Sequence, residues 1–134
     1  MPNRTQYTLA LIALLIPLPA AAQDVEAGAA IYREVCAVCH GTDLRGTGPM
    51  AEILVVPPPD LRQIEARYGG YFPRVGVAWL IDGRDPLVGH GGEMPMFGRL
   101  FSDMSEVMIS PGGQTVLTSP EVVDLVDYLE SVQD

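Results

Sequence analysis

The stretch VCAVCHGTD, from Val35 to Asp43, holds both cysteines of the chain and one of its two histidines. Two sulfurs and an imidazole within five residues form a ligand cluster, and its use decides the fold. A disulfide between Cys36 and Cys39 would close a tiny loop and remove little chain entropy. Structural zinc asks for four ligands from cysteine and histidine, but the second histidine, His90, is fifty residues away. A thioredoxin-like dithiol asks for an α/β unit, and no such alternation is visible.

What remains is C-x-x-C-H, the attachment signature of c-type haem. The chemistry explains the spacing. Residues three apart on a helical turn lie on nearly one face, so Cys36 and Cys39 reach two vinyl groups on one porphyrin edge and form thioethers. His40 follows directly and brings an imidazole nitrogen under the iron. The expected cofactor is one haem c, covalent through Cys36 and Cys39, with iron held by His40.

The flanks agree with a helical reading. DVEAGAAIYREVCAVCH predicts a helix running into the motif. Asp24 is its N-cap, and Gly28, Ile31, Tyr32 and Val35 share one face. GTDLRGTGPM is a turn-rich loop, and PPPDL, at 57–61, forces an extended segment. A short helix is expected in DLRQIEARY, ending at Gly69-Gly70. Another runs from Pro73 to Asp82 and stops at Gly83. SEVMISPGGQTVLTS predicts two β-prone runs around Pro111-Gly112-Gly113, hence a small hairpin near 107–117. The last helix is the clearest. Ser119 caps it and Pro120 opens it, while Val122, Leu125, Val126, Leu129 and Val132 make its apolar stripe. Helices joined by loops this long need something in the middle to organise them.

The first 22 residues read as a secretory leader rather than as part of the domain. Arg4 precedes an apolar run from Leu9 to Leu18, and Ala20-Ala21-Ala22 offers a small-residue site, with cleavage expected after Ala22. The apolar run is too short for a spanning anchor and is broken by Pro17 and Pro19. Removing 22 of the 134 residues leaves 112, enough for one core around a bulky cofactor. The expected location is the periplasm, with no stable membrane span once the leader is gone.

Charge narrows the partners. Eight basic residues, all of them arginine, face seventeen acidic ones, for a net charge of −9. Nothing can neutralise a run of phosphates, so nucleic acid is excluded as a partner. An acidic surface suits a brief encounter with a redox partner presenting a basic or apolar face.

Iron needs a sixth ligand or an open position. HGGEMPMFG gathers His90, Met94 and Met96 in one bent loop, and all three are candidates. A thioether is soft and favours ferrous iron, so Met/His ligation raises the reduction potential and fills both axial positions. Met94 stands before Pro95, which stiffens the loop. Met50, Met104 and Met108 read as packing or surface residues.

With these residues in hand, the chain resembles the class I c-type cytochromes, in particular small bacterial periplasmic monohaem ones. G-x-x-x-Y-x-x-x-C-x-x-C-H-G, from Gly28 to Gly41, is similar to the family's first helix and haem motif. PPPDL resembles the segment where a proline carbonyl accepts the proximal histidine's N–H and a leucine packs on the ring, which implies Pro59 and Leu61. GEMPMFG resembles the family's ligand loop, which implies Met94 as the sixth ligand. Tyr128 falls where the last helix sets an aromatic against the first, with Gly28 allowing a close crossing. The resemblance implies an all-α cytochrome c fold around one haem, spanning 23–134, and one-electron transfer with no catalytic residues.

Two features depart from that pattern. The link between Gly98 and Ser119 is long, and the absence of lysine rules out docking through a lysine ring. Trp79 reads as a core or haem-packing aromatic. Arg62 and Arg84 read as solvated arginines rather than propionate partners, and Tyr68 and Tyr71 are unassigned. Three other uses compete with a free carrier: an electron-entry subunit of a larger oxidoreductase, a haem enzyme or gas binder with a labile sixth site, and a periplasmic copper-binding protein using His90, Met94, Met96 and Met104.

Overall fold

The computed structural model describes residues 24–84, 94, 95, 97, 100, 101, 103–110, 112, 113 and 115–134. The expected leader, His90 and Met96 lie outside the described residues. Asp24 caps the first helix, α1 (Val25–Ile31), its carboxylate accepting from the backbone N–H groups of Glu26 at 3.1 Å and Ala27 at 3.0 Å. Two otherwise unpaired helix-end donors are thereby satisfied. Of the expected apolar face, Gly28 and Tyr32 are buried, while Ile31 and Val35 are half-buried.

The helix does not run unbroken into the motif. A π-helical turn, Tyr32–Cys36, separates α1 from α2 (Ala37–His40), and the Ala37 N–H bonds back to the carbonyl of Tyr32. The reason lies in Tyr32. Its hydroxyl donates to the Gly41 carbonyl at 2.7 Å, nine residues further on. Side chains on a straight α-helix lean toward its N-terminus, so that bond needs a bend, and a π turn supplies one.

After α2 the chain folds back along it. The N–H groups of Gly46, Gly48 and Met50 bond the carbonyls of His40, Cys39 and Val38 at 2.8, 3.1 and 2.9 Å. Helix-end carbonyls that would otherwise face solvent are thus paired. Asp60 caps the turn Leu61–Gln63, which runs into α3 (Ile64–Arg67). The next helix, α4 (Arg74–Asp82), ends at Gly83 in the left-handed conformation, φ 80°. The hairpin pairs β1 (Glu106–Ile109) with β2 (Thr115–Thr118), antiparallel, Val107 opposite Leu117 and Met108 opposite Val116. Met108, Val116 and Thr118 face inward.

The last helix, α5 (Pro120–Ser131), begins as its sequence predicts, with the Ser119 hydroxyl accepting from the Val122 N–H at 3.3 Å. Val122, Leu125, Val126 and Leu129 are buried in the core, each contributing about 1.5–3 kcal/mol. Helix α1 crosses α5 at Gly28, where an added Cβ would lie 2.0 Å from the Asp124 carbonyl oxygen and 2.9 Å from Cβ of Tyr128. Beside the crossing the rings of Tyr32 and Tyr128 sit 5.4 Å apart, tilted by 50°. Helix α4 is clasped to α5 by Arg74, which pairs with both Asp127 and Glu130. Asp127 is buried, a position the apolar stripe did not include. Trp79 packs half-buried against the core. Among the described residues no helix is long and apolar enough to cross a membrane.

Candidate functional site

Cys36 ends the π turn, and Cys39 and His40 end α2, so the bend set by Tyr32 brings all three to one end of the helix. Both thiols are free and half-buried. Burial, and then the neighbouring Cys39, push the Cys36 thiol up to about 11, so it stays protonated at neutral pH. Among the described residues no group of three or more histidine, cysteine or carboxylate side chains is arranged to hold a metal ion.

His40 is buried. Burial lowers its pKa from the ordinary histidine value, and the Pro59 backbone carbonyl pulls the other way. The neutral ring that results is the form that binds metals. Its Nδ1 is buried and short of full hydrogen-bond geometry with any acceptor, while the Pro59 carbonyl lies close enough to favour a proton there. We take the carbonyl as the partner of Nδ1, because a buried ring nitrogen beside one acceptor gains most by donating to it. That tautomer leaves Nε2 free for a metal.

The proximal segment is tied to the motif through Leu44. The Leu61 N–H donates to the Leu44 carbonyl at 2.8 Å. Leu44 is buried and adopts φ 62°, the left-handed region that a branched side chain rarely occupies. Leu61 itself is half-buried against the core, whereas the Pro59 ring is exposed. Arg62 and Arg84 are not simply solvated. Arg62 pairs with Asp60 at 2.6 Å and Asp134 at 3.0 Å, and Arg84 pairs with Asp82.

Met94 is exposed, at 37%. Core filler would be buried, so this thioether is not spent on packing within the described residues. Phe97 and Phe101, just beyond it, pack against the core and anchor that end of the loop. His90 and Met96, the other sequence candidates, lie outside the described residues. Sequence reading missed three contributors: the Tyr32 hydroxyl, the left-handed Leu44 and the Arg74–Asp127 clasp. Each depends on a contact between distant positions or on a backbone angle, and residue spacing carries no trace of either.

The arrangement is that of a haem-attaching helix with a supporting loop. The family model for cytochrome c matches residues 25–133. The chain belongs to that family and is a c-type cytochrome, a haem-binding electron carrier. No individual curated protein and no solved structure matches it significantly. The residues fit the cofactor: two free thiols on one turn supply both thioethers, so haem c is held covalently through Cys36 and Cys39, and a buried neutral imidazole stands next to them.

Proposed function

We propose that this chain is an exported, class I, monohaem one-electron carrier of the periplasm, with His40 and Met94 as the residues that would ligate the haem iron. When bound, the haem supplies a one-electron ferric/ferrous couple. Cys36 and Cys39 would hold the haem through thioethers. His40 would present Nε2, with its Nδ1 donating to Pro59, which would orient the imidazole and raise its basicity. Leu61 would pack beside the haem from the same segment. Met94 would offer its sulfur to the iron, and a soft thioether favours the reduced state. Residues 1–22 act as the export leader, removed after Ala22, and 23–134 form the haem domain.

One observation carries this reading: a buried, neutral histidine, with Nδ1 beside a proline carbonyl, directly after two free thiols on the same turn. Partner choice follows from charge. Arg45, Arg62, Arg74 and Arg84 are each paired with a carboxylate of this same molecule. With seventeen acids against eight arginines, the surface offered to a partner is acidic on balance, and the partner's docking face is basic or apolar. Contact is brief and small.

The test is a denatured mass spectrum together with spectra of the oxidised and reduced protein. The expected result is a chain starting at Gln23, heavier by one haem, low-spin in both states, and converted to a ligand-binding form by Met94→Ala. A colourless chain from a haem-attaching host would sink the proposal. The competing reading is a labile sixth position that binds gases or peroxide. In that case Met94→Ala leaves spectrum and potential nearly unchanged.

A further inference from the structure

The segment that faces His40 is held from the opposite side by one amide. Gln133, just past the end of α5, donates from Nε2 to the Leu61 carbonyl at 2.9 Å and to the Leu129 carbonyl at 2.6 Å. Its Oε1 accepts from the Glu65 N–H at 2.9 Å. The amide's orientation is fixed by its partners, because carbonyls only accept and an N–H only donates. No other common side chain of this length meets all three. A carboxylate would turn an acceptor toward two carbonyls, and leucine would leave all three groups unpaired.

The same few residues are pinned elsewhere. The Asp60 carbonyl accepts from Arg67 at 2.8 Å, and the Leu61 N–H is taken by Leu44. Gly46, whose N–H bonds the His40 carbonyl, lies so close that an added Cβ would be 2.0 Å from the Pro58 carbonyl oxygen and 3.4 Å from that of Pro59. The carbonyls of Asp60 and Leu61 are thus consumed by Arg67 and Gln133. That of Pro59 sits between the Gly46 contact and these anchors, beside the His40 ring, whose Nδ1 is short of full hydrogen-bond geometry.

We propose that Gln133 is a positioning residue for the haem centre: by holding the Leu61 carbonyl it keeps the Pro59 carbonyl on Nδ1 of His40, and so tunes the iron from the far end of the chain. The inference rests on His40 being the proximal ligand. Without Gln133 the segment from Pro58 to Leu61 gains freedom on the α5 side, and the bond from Nδ1–H to Pro59 lengthens on average. The imidazole then donates less charge to the metal, which favours the ferrous state.

The experiment compares the haem-loaded full chain with Gln133→Leu, Gln133→Glu and Ser119→Ala. The last removes the cap of α5 and serves as a control for lost stability alone. Two readouts are taken: the reduced fraction at a poise fixed on the wild-type midpoint, and the solvent-exchange rate of the His40 ring N–H by NMR. Both Gln133 variants are expected to raise the reduced-to-oxidised ratio by about threefold and to speed exchange by about tenfold, with Ser119→Ala moving neither. Should Gln133→Leu not fold, Gln133→Glu still retains the acceptor for Glu65. Gln133 variants that only melt earlier, with ratio and exchange at wild-type values, overturn this inference alone. A wild type that is not reversibly reduced overturns the carrier reading and this inference with it.

Discussion

Tyr32 and Gly41 are joined by a buried hydrogen bond of 2.7 Å that spans the π turn and the whole haem motif. The first helix is thereby bound to the exit of the motif it carries. Replacing Tyr32 with Phe keeps the ring against Tyr128 but leaves the Gly41 carbonyl with only its bond from the Leu44 N–H, at 3.2 Å. The expected cost is about 0.5–1.5 kcal/mol, read by denaturant unfolding. A pH signature accompanies it. Burial raises the Tyr32 pKa well above its usual 10.0, so the fold keeps a proton that the unfolded chain loses. Stability from this group is complete below pH 10 and declines as pH rises beyond it. Tyr32→Phe removes that alkaline decline, and a wild-type slope in the variant would refute the assignment.

Two helical glycines respond in opposite directions to one added methyl group. At Gly28 it collides with the Asp124 backbone across the helix crossing, whereas at Gly76 the nearest atom is Cβ of Pro73 at 3.8 Å. Gly28→Ala is expected to destabilise by about 1–3 kcal/mol, since the backbone contact has to open. Gly76→Ala gains up to about 1 kcal/mol from helix propensity. Parallel thermal melts of the two variants decide the matter. Equal shifts would mean that the crossing is not tight.

The clasp between α4 and α5 sets a buried carboxylate against a half-buried arginine. Arg74→Ala strands Asp127, and the expected loss is about 2–3 kcal/mol, below the 3–5 of a wholly buried pair because Arg74 reaches solvent. Arg74→Leu combined with Asp127→Leu recovers most of it. A double-mutant cycle with no coupling energy would contradict the clasp.

Asp124 runs against the usual rule for acids. Burial first, then the carboxylates of Asp24, Asp127 and Glu121, raise its pKa. The folded state therefore binds the proton more tightly, and stability from this group rises as pH falls through its folded value. Asp124→Asn removes the charge and keeps an acceptor for the Asp24 N–H, which Asp124 now serves at 3.1 Å. A gain of a few tenths to about 1 kcal/mol is expected at neutral pH, shrinking with added salt. A loss would show that the charge is favourable.

Much of this was legible from local chemistry. Asp24, Ser119 and Pro120 mark helix starts by what they offer to free N–H groups, and Gly83 marks a stop. The β-prone run of Val107, Met108 and Ile109 announced a strand, and the close crossing at Gly28 follows from the missing side chain. The haem motif is a matter of short spacing. The π turn was not legible, because one extra residue hardly disturbs an apolar pattern only two turns long. Buried Asp127 was hidden because its partner stands 53 positions earlier. The role of Gln133 was hidden likewise, since its amide serves carbonyls whose proximity exists only in the folded chain.

The crossing at Gly28 also governs when this protein can be completed. The Asp24–Asp124 bond joins positions 100 apart, so nearly the whole polypeptide must be made before the motif helix finds its seat. Closing so long a loop carries an entropic toll that only α5 repays. Until α5 arrives, Gly28 and Tyr32 lack the helix they pack against in the finished fold. The seating of the first helix is therefore a late event, timed by the arrival of the C-terminal one.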